Sequence, residues 1–171
     1  MISMVVAADK KGVIGREDRI PWRLKEDLVN LRNKTKGKPV ILGRKSYDSM
    51  AWYYTKSGNQ MPGQLYVVVT HNATYVPKFP NAVTAHSVQE ALALAQKDNP
   101  AEVVVLGGAS IYRALLPYTD RIYLTEVQAE VAGDTSFPEL ASTEWQETAR
   151  IHHTKDDRNE YDFDFVTLDR K

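Results

Sequence analysis

One carboxylate is conspicuous in IPWRLKEDLVNLR, residues 20–32, because it falls among leucines. A helix that begins near Leu24 places Leu24, Leu28 and Leu31 on one face, at the i, i+4, i+7 spacing of an amphipathic helix. Asp27 lies on the same face. A carboxylate at the bottom of an apolar pocket can bind a flat ligand that offers two parallel N–H donors, as a guanidinium does. Desolvation there would raise the pKa of Asp27.

Asp27 also has a simpler interpretation. An inward-facing aspartate commonly accepts a hydrogen bond from a loop N–H group or pairs with a basic side chain. The sequence leaves both interpretations open. Trp22 lies just before the helix, beside Asp27, so it is the one tryptophan that we associate with a pocket instead of with packing.

A second group of chemically useful residues follows three apolar runs. In open α/β sheets, ligands bind beyond the carboxyl ends of the strands. Glycine at a strand-to-helix turn lets the backbone approach an anion, which the helix N-terminal N–H groups then hold. The three runs lead into Gly43-Arg44-Lys45-Ser46, Thr70-His71-Asn72 and Gly107-Gly108-Ala109-Ser110.

Two of these turns suit a diphosphate, and the basic pair Arg44-Lys45 beside Thr70 and His71 suits a further phosphate monoester. A dinucleotide with an extra phosphate describes NADP better than NAD. The alternative is that all three are ordinary turns, because Gly107-Gly108 is not a GxGxxG fingerprint and is weak by itself.

The elements that must position these residues alternate between short β-branched runs and helical segments, which is typical of an α/β domain. A helix from Ser87 is indicated by the capping-box spacing of Ser87 and Glu90, and another from Ser110 ends at Pro117. The predicted strands are residues 1–8, 39–42, 65–70, 82–85, 102–106 and 121–127, and the first predicted helix runs from about Leu24 to Gly37.

The C-terminal tail has a different pattern. Tyr161, Phe163 and Phe165 alternate with aspartates, as in a half-solvated strand, and residues 143–154 are a hairpin partner that turns at 156–159. We therefore predict a single domain, 1–171: an α/β fold with a central, mostly parallel β-sheet, an antiparallel C-terminal hairpin and helices on both faces.

Two segments between these elements are predicted to be irregular. Residues 9–23 form a long loop that contains Gly12, Gly15 and Pro21. Residues 50–64, MAWYYTKSGNQMPGQ, are interpreted as an excursion over the surface after a short helix that follows GRKS.

Composition limits the function classes. The 171 residues carry 22 Lys plus Arg and 22 Asp plus Glu, so the net charge argues against nucleic acid or an anionic membrane as partner. Without cysteine there is no disulfide, thiolate zinc site or cysteine nucleophile. No signal peptide or run of about 20 apolar residues is present, so we expect a cytoplasmic protein.

The four histidines do not suggest a metal site. His152 and His153 are neighbours on a predicted strand and point to opposite faces, so they cannot share a metal. The chain also has no GxSxG element to support Ser-based hydrolysis.

Taken together, the sequence resembles the bacterial chromosomal-type dihydrofolate reductases, nearly end to end. The ordered set of motifs at these spacings is specific, although each motif alone is loose. The motifs are MISMVVAA at the start, GVIG at 12–15, IPW at 20–22, Asp27, KPVILGRKSYDSM, VVLGGASIY, IYLTEV and GDTSFP at 133–138.

The resemblance implies the reduction of 7,8-dihydrofolate to tetrahydrofolate by NADPH. Asp27 matches the family's single active-site acid, which hydrogen-bonds the 2-amino group and N3 of the pterin. Hydride goes to C6 and a proton goes to N5, with water as the immediate donor. The resemblance also implies that trimethoprim and methotrexate are candidate ligands and that residues 9–23 are a mobile lid.

Other site residues are matched one position at a time. Thr125 matches a threonine that bonds the pterin edge, Tyr112 a tyrosine near the nicotinamide, and Trp22 a residue of the catalytic group. The matched substrate pocket is Val5, Val6, Leu28, Leu31, Arg32, Met50 and Leu106. The matched cofactor site is Ala7, Ile14, Gly15, Gly43, Arg44, Lys45, Ser46, Thr70, His71, Gly107, Gly108, Ala109, Ser110 and Ile111.

Two departures from the family pattern concern the tail of the substrate. The family has an arginine after a Pro-Leu-Pro-like turn that forks onto the glutamate α-carboxylate, but Gln64 stands there and cannot make that bond. Arg32 and Lys56 are candidates to replace it. The segment Ala51 to Met61 is also longer than usual and either rebuilds the pocket rim or is a tolerated surface insertion.

Two other functions stay open on the sequence alone. One is a reductase of an unconjugated pterin or of a riboflavin-pathway pyrimidine on the same fold. The other is a nucleotide-binding module without turnover, against which Asp27, Thr125 and Tyr112 argue because cofactor binding needs none of them. We expect a monomer.

Overall fold

The computed structural model describes residues 1–171, and its elements follow the predicted order closely. No helix has the length and apolar character needed to cross a bilayer. The strands are β1 (Ile2–Asp9), β2 (Val13–Gly15), β3 (Pro39–Gly43), β4 (Leu65–Val69), β5 (Ala82–Ala85), β6 (Val103–Val105), β7 (Arg121–Val127), β8 (Thr135–Ser136), β9 (Trp145–His153) and β10 (Phe163–Arg170). The helices are α1 (Lys25–Thr35), α2 (Arg44–Ser57), α3 (Val88–Gln96) and α4 (Ala109–Leu115), and a 3-10 turn covers Leu116–Tyr118.

Eight strands form one sheet in the order β5-β4-β3-β6-β1-β7-β10-β9. Every pair from β5 to β7 is parallel, and only β7-β10 and β10-β9 are antiparallel. The prediction of a mostly parallel sheet with an antiparallel C-terminal hairpin is therefore confirmed. The chain leaves β1 for β3 and returns through β6, so β6 lies between them and the strand order reverses beside β1.

The alternation of side chains along β3 explains why both faces of the sheet carry helices. Ile41 packs in the larger core cluster with residues of α3 and α4. Val40 and Leu42 pack in a second cluster with Tyr47 and Ala51 of α2. Helices α3 and α4 thus cover one face and α2 the other, which confirms the prediction of helices on both faces.

The excursion predicted over residues 50–64 is wrong for its first half. Helix α2 has 14 residues and continues through Ser57. Ala51 is buried and Tyr54 packs on the α2 cluster, so the helix has an apolar face over these turns. It ends at Gly58, whose φ of 71° is the left-handed conformation that glycine adopts easily. Only the residues from Gly58 to Gln64 form the connection to β4.

Two other local predictions need correction. The loop predicted over residues 9–23 contains the short strand β2, which pairs antiparallel with β8. The tail was expected to expose its aspartates, yet Asp164 is buried, because Arg150 and His152 of the neighbouring strand β9 both contact its carboxylate. The hairpin itself is confirmed, with its turn at Asp156–Asn159.

Candidate active site

The residues singled out by the sequence meet at the carboxyl ends of four neighbouring strands, β3, β6, β1 and β7. Thr125 of β7 lies directly beside Ala7 of β1 in the parallel register. Helix α1 places Asp27 against the same end of the sheet. The reversal of strand order beside β1 makes this edge the expected place for a ligand crevice.

Asp27 is held by a hydroxyl group. Thr125 Oγ1 donates a hydrogen bond to Asp27 Oδ1 at 2.6 Å, and it is the one hydrogen bond that the protein makes to this carboxylate. Burial raises the pKa of Asp27 above its ordinary value, and the bond from Thr125 offsets part of that rise. Neither a loop N–H group nor a basic side chain pairs with Asp27, so the simpler interpretation of its inward position does not apply. Its second oxygen is available to a ligand.

The face of α1 around Asp27 is open to solvent where it meets the carboxyl end of β7, and we call the space in front of it the cleft. Leu28 is 44% exposed, although the helical spacing predicted an inward position for it. Leu31 is half-buried, and Arg32 is exposed one turn beyond Leu28. The helix starts at Lys25, with Leu24 as a buried N-cap residue. This apolar face is therefore open to solvent instead of part of the closed core.

Trp22 lies in a small cluster next to this cleft. Its ring is buried with Leu24, Val127 and Phe163. Its indole Nε1 is also buried and has no hydrogen-bond partner. An unpaired buried N–H group costs free energy, so this donor suits a site in which a bound polar atom completes the hydrogen bond.

Tyr112 joins α4 to the centre of the sheet. Its hydroxyl donates to the backbone oxygen of Val5 at 2.6 Å. Burial raises its pKa far above the ordinary value, and the negative charge of Asp27 adds a smaller rise. The phenol is therefore neutral, and it lies close enough to the carboxylate to be affected by its charge.

Two strand-to-helix turns meet beside Tyr112. The Gly43 N–H group donates to the Gly107 oxygen at 2.7 Å, which joins the ends of β3 and β6. Gly107 has a φ of 90°, and a Cβ atom there would lie 2.6 Å from the Tyr112 ring. Only glycine fits this position. The turns thus present bare backbone to the cleft, as a phosphate group requires.

The basic residues near these turns are already paired. Arg44 contacts Asp48 at 3.3 Å and Lys45 contacts Asp18 at 3.4 Å, and all four side chains are exposed. Exposed ion pairs contribute little to the free energy of folding, so a phosphate group can replace the aspartates as the partner of Arg44 and Lys45. Thr70 and His71 follow the adjacent strand β4, whose last residue, Val69, is paired with Gly43, directly before Arg44.

The remaining predicted residues divide by side-chain direction. Met50 and Leu106 are half-buried against the α2 cluster. Val6 points to the opposite face of the sheet from Val5 and Ala7, into the larger core cluster, so its side chain does not reach the cleft. Ile14 packs on that cluster from β2, which also contains Gly15. The other predicted cofactor residues lie at or next to the glycine turns: Ser46, Gly108, Ala109, Ser110 and Ile111.

A family model described as dihydrofolate reductase matches residues 1–170. The chain belongs to the dihydrofolate reductase family. It is 37% identical to dihydrofolate reductase type 3 of Salmonella typhimurium, covering 100% of this chain and 99% of that protein. It is 33% identical to dihydrofolate reductase of Bacillus subtilis, covering 100% and 95%.

A solved dihydrofolate reductase has the same fold. The structure from Enterococcus faecalis, complexed with NADP(H) and RAB-propyl, superposes with a TM-score of 0.86 at 32% identity. The match covers 100% of this chain and 96% of that one. Because the similarity runs the full length, the family's α/β fold is shared by this whole chain.

Two carboxylates of this family member escaped the sequence analysis. Asp134 Oδ2 accepts from the Glu17 N–H group at 2.8 Å. Asp9 is 4% exposed and accepts three backbone N–H groups. The spacing of Asp9 and Gly12 is typical of a turn closed by an aspartate side chain, so the bonds from Lys11 and Val13 could have been predicted from the sequence. Its contact with Val131 has no sequence signal, because 122 residues separate the two.

Proposed function

We propose that this member of the dihydrofolate reductase family reduces 7,8-dihydrofolate to 5,6,7,8-tetrahydrofolate, with NADPH as the reductant and one proton taken from solvent. The observation that carries the proposal is the inward carboxylate of Asp27, bonded by Thr125 at the floor of an apolar cleft. A dihydropterin offers the flat, paired N–H edge that such a carboxylate binds best.

Asp27 and Thr125 orient the pterin. Asp27 Oδ2 accepts from the 2-amino group or N3, and the hydroxyl of Thr125 holds the carboxylate in place. Burial raises the pKa of Asp27, which favours acid–base work more than the ordinary pKa of an exposed carboxylate does. The free Nε1 donor of Trp22 can hold a water or a pterin oxygen beside N5. Protonation at N5 then accompanies hydride arrival at C6.

The cofactor site uses the glycine turns and the basic residues beside them. Backbone at Gly43 and at 107–111 faces the diphosphate, because a Cβ atom at Gly107 would fill the space next to Tyr112. Arg44, Lys45, Ser46, Thr70 and His71 hold the further phosphate. Ala7, Ile14 and Gly15 bound the nicotinamide end. When bound, NADPH supplies the hydride.

The apolar walls serve the rest of the substrate. Leu28, Leu31, Met50 and Leu106 pack on the pterin and benzoyl rings, and Val5 lies behind the pterin with its backbone oxygen fixed by Tyr112. Val6 supports this strand from the core side. The diaminopyrimidine edge of trimethoprim and methotrexate fits the same carboxylate, so both are proposed inhibitors.

Arg32 is the proposed partner of the glutamate tail. The Gln64 N–H group donates to Lys38 O at 2.9 Å, just past the end of α1, the helix that carries Arg32. Burial raises the pKa of Tyr66 to about 12, so its hydroxyl is neutral. That hydroxyl accepts from the Gly63 N–H group, next to Gln64. Lys56 instead lies over the Trp52 ring, 5.4 Å from its centre.

The test is loss of NADPH absorbance with purified protein and dihydrofolate, run beside a dihydropterin that lacks the benzoylglutamate. Turnover of dihydrofolate at micromolar substrate supports the proposal. Equal or better turnover of the tail-less compound points to a pterin reductase, which the neutral Gln64 favours. No turnover of either moves the assignment to a riboflavin-pathway pyrimidine or a binding module. A cytoplasmic monomer stays the prediction.

A further inference from the structure

Helix α1 lies over β7, and the next two strands of the sheet, β10 and β9, extend beyond it on the same face. Asp27 of the helix bonds Thr125 of β7. Thr125 is paired with Phe165 of β10, which is paired in turn with Ile151 of β9. Because paired residues of a sheet point to the same face, Phe165 and Ile151 lie beside the helix. Ile151 is 60% exposed.

A groove of about 130 Å³ lies between α1 and these two strands. Asn30 and Lys34 line it on the helix side, and Ala149, Ile151 and Phe165 line it on the sheet side. A cavity of about 150 Å³ with apolar walls is large enough to bind benzene. The groove therefore has room for one aromatic ring.

The groove is separate from the cleft. At about 3.6 residues per turn, Asn30 lies on the opposite flank of α1 from Leu28 and Arg32, and Asp27 faces β7 between the two flanks. Leu28 and Arg32 belong to the side of the helix that borders the cleft. The body of α1 thus divides the two spaces.

Lys34 supplies a positive charge to the groove, and no carboxylate is paired with it. The neighbouring cations Lys38 and Arg121 each have a carboxylate partner at 2.6 Å. The Lys34 ammonium instead lies over the Tyr123 ring, 4.0 Å from its centre. Burial lowers the pKa of Lys34 below its ordinary value, and the charge of Lys38 lowers it further. A bound anion would offset both effects, so a ligand that suits this cation is negatively charged.

The sheet side of the groove favours an aromatic ring. Phe165 is half-buried and packs edge-to-face with His153 and Phe163, with ring centres 4.9 and 5.2 Å apart. A further ring in the groove can extend this arrangement. On the helix side, the Asn30 amide lies one turn before Lys34 and can donate a hydrogen bond to the same anion.

We propose that the groove between α1 and the β9-β10 hairpin is a second binding site, which takes a small aromatic monocarboxylate. The carboxylate lies between Asn30 and Lys34, and the ring packs on Phe165 and Ile151. The unpaired cation selects the acid group, and the apolar walls select the ring. The proposal does not depend on the proposed reduction of dihydrofolate.

The experiment uses para-fluorobenzoate as the probe and para-fluorobenzamide as a neutral ligand of the same shape. Fluorine NMR titrations of the full chain at neutral pH measure both Kd values, and backbone amide chemical shifts locate the bound ligand. We expect para-fluorobenzoate to bind with a Kd of about 1 mM, which is ordinary for a ligand of about ten non-hydrogen atoms. It should shift the amides of residues 149–151 and 165–167. The benzamide should bind about tenfold more weakly, because it cannot make the charge-assisted bond.

Two groove variants and a control separate charge from shape. Lys34→Met should raise the Kd of the benzoate about tenfold and leave that of the benzamide unchanged. Lys36→Met changes an exposed lysine of the same helix end outside the groove and should match the wild type. Ala149→Trp fills the groove and should abolish binding of both ligands. If that variant does not fold, Ile151→Asn replaces one apolar wall and should weaken both.

Equal Kd values for the benzoate in wild type and Lys34→Met would overturn the proposal, as would equal affinities for benzoate and benzamide. Shifts that rise without saturation would overturn it too, because they indicate non-specific contact. A benzoate that binds in the cleft would lose affinity in Arg32→Gln but not in Lys34→Met, which also contradicts the proposal. No step of the test uses dihydrofolate or NADPH, so failure of the proposed function leaves its outcome unaffected.

Discussion

Burying the Asp27 carboxylate lowers the free energy of unfolding, because its charge is desolvated without a cationic partner. A carboxylate without a cationic partner is desolvated here and keeps one hydrogen bond from the protein. Such groups persist where a ligand uses the free acceptor, which is why strongly perturbed carboxylates in clefts indicate function. Desolvation of the Asp27 carboxylate therefore both raises its pKa and lowers the stability of the fold.

Replacing the carboxylate by its amide should separate binding from chemistry. Asp27→Asn keeps the shape and the bond from Thr125 but loses the charge that pairs with the pterin edge. NADPH affinity should be unchanged, while kcat/KM for dihydrofolate should fall by about a hundredfold or more. Stopped-flow fluorescence measures the first quantity and steady-state absorbance the second. A near-normal rate would remove Asp27 from the mechanism.

The same substitution should stabilise the apo protein at neutral pH. The folded-state pKa of Asp27 is raised, so the folded chain holds its proton more tightly than the unfolded chain. The unfolding free energy of the wild type therefore falls as pH rises from the unfolded-state pKa through the folded-state pKa. Asp27→Asn lacks this loss. Urea unfolding at neutral pH and near pH 4 should give a gain for the variant only at the higher pH.

Gln64 is the residue at which tail recognition can be restored. It is exposed and follows Gly63, whose N–H group bonds the Tyr66 hydroxyl, and its own N–H group donates to Lys38 O at 2.9 Å just past the end of α1. Gln64→Arg should lower the KM for dihydrofolate about tenfold through a charge-assisted bond to the tail carboxylate, and should leave the KM for tail-less dihydropterin unchanged. Equal KM values for wild type and variant would mean that the tail does not pass this turn. Arg32→Gln should act in the opposite direction.

At the scale of elements, α2 links the cofactor turn to the rim of the cleft. It begins at Arg44, directly after Gly43, and carries Met50 and then Trp52, Tyr53 and Lys56. Trp52 is 64% exposed and Tyr53 is 52% exposed. The residues that looked like an inserted loop are therefore two regular helical turns whose exposed face holds aromatic side chains.

The position of strand β2 depends on Gly133, which lies shortly before its partner strand β8. A Cβ atom at Gly133 would lie 2.2 Å from Val13 Cγ1 and 2.7 Å from the Gly15 oxygen. Gly133→Ala must therefore displace β2, since backbone atoms cannot yield at such distances. We expect turnover to fall about tenfold or more, because β2 carries Ile14 and Gly15 of the proposed cofactor site, with a smaller loss in urea stability, because β2 and β8 form a two-stranded sheet apart from the main one. Gly37→Ala meets no atom within 4 Å but is strained by its φ of 70°, so it serves as the comparison for backbone strain without a steric clash.

At the scale of the molecule, the parallel sheet is the platform that brings four strand ends together. Residues from β3, β6, β1 and β7 form the cleft, while helices cover both faces. At the antiparallel edge, Arg150 forms salt bridges with Glu126 of β7, Glu147 of β9 and Asp164 of β10. The strand ends that carry the proposed site thus belong to one sheet, which is packed on both faces and held by ion pairs at its antiparallel edge.

NADPH should stabilise the whole fold by mass action. At a concentration one hundred times its Kd, it should add about 2.7 kcal/mol to the unfolding free energy. For a chain of this size the melting temperature should rise by about 5–10 °C. Thermal unfolding monitored by circular dichroism measures this, and NADH at the same concentration should give a smaller rise if Arg44 and Lys45 hold the extra phosphate. Equal shifts would contradict that role.

Local patterns in the sequence determined most elements of this protein. The strand RIYLTEV is found at Arg121–Val127, and the Ser87–Glu90 spacing gives a cap in which the Ser87 side chain accepts from Glu90 N. The inward position of Asp27 follows from helical periodicity. These features depend on neighbours a few residues apart, so a single stretch of chain contains the information.

Only the tertiary structure decided how distant residues combine. Asp27 meets Thr125 across 98 residues, and Asp9 meets Val131 across 122. Helix α2 extends through Ser57 because Ala51 and Tyr54 find a packing surface on β3 and β4, and Asp164 is buried because Arg150 and His152 lie on the adjacent strand. Periodicity records the face that a residue occupies but not its partner, since strand order and register arise from packing of the whole chain.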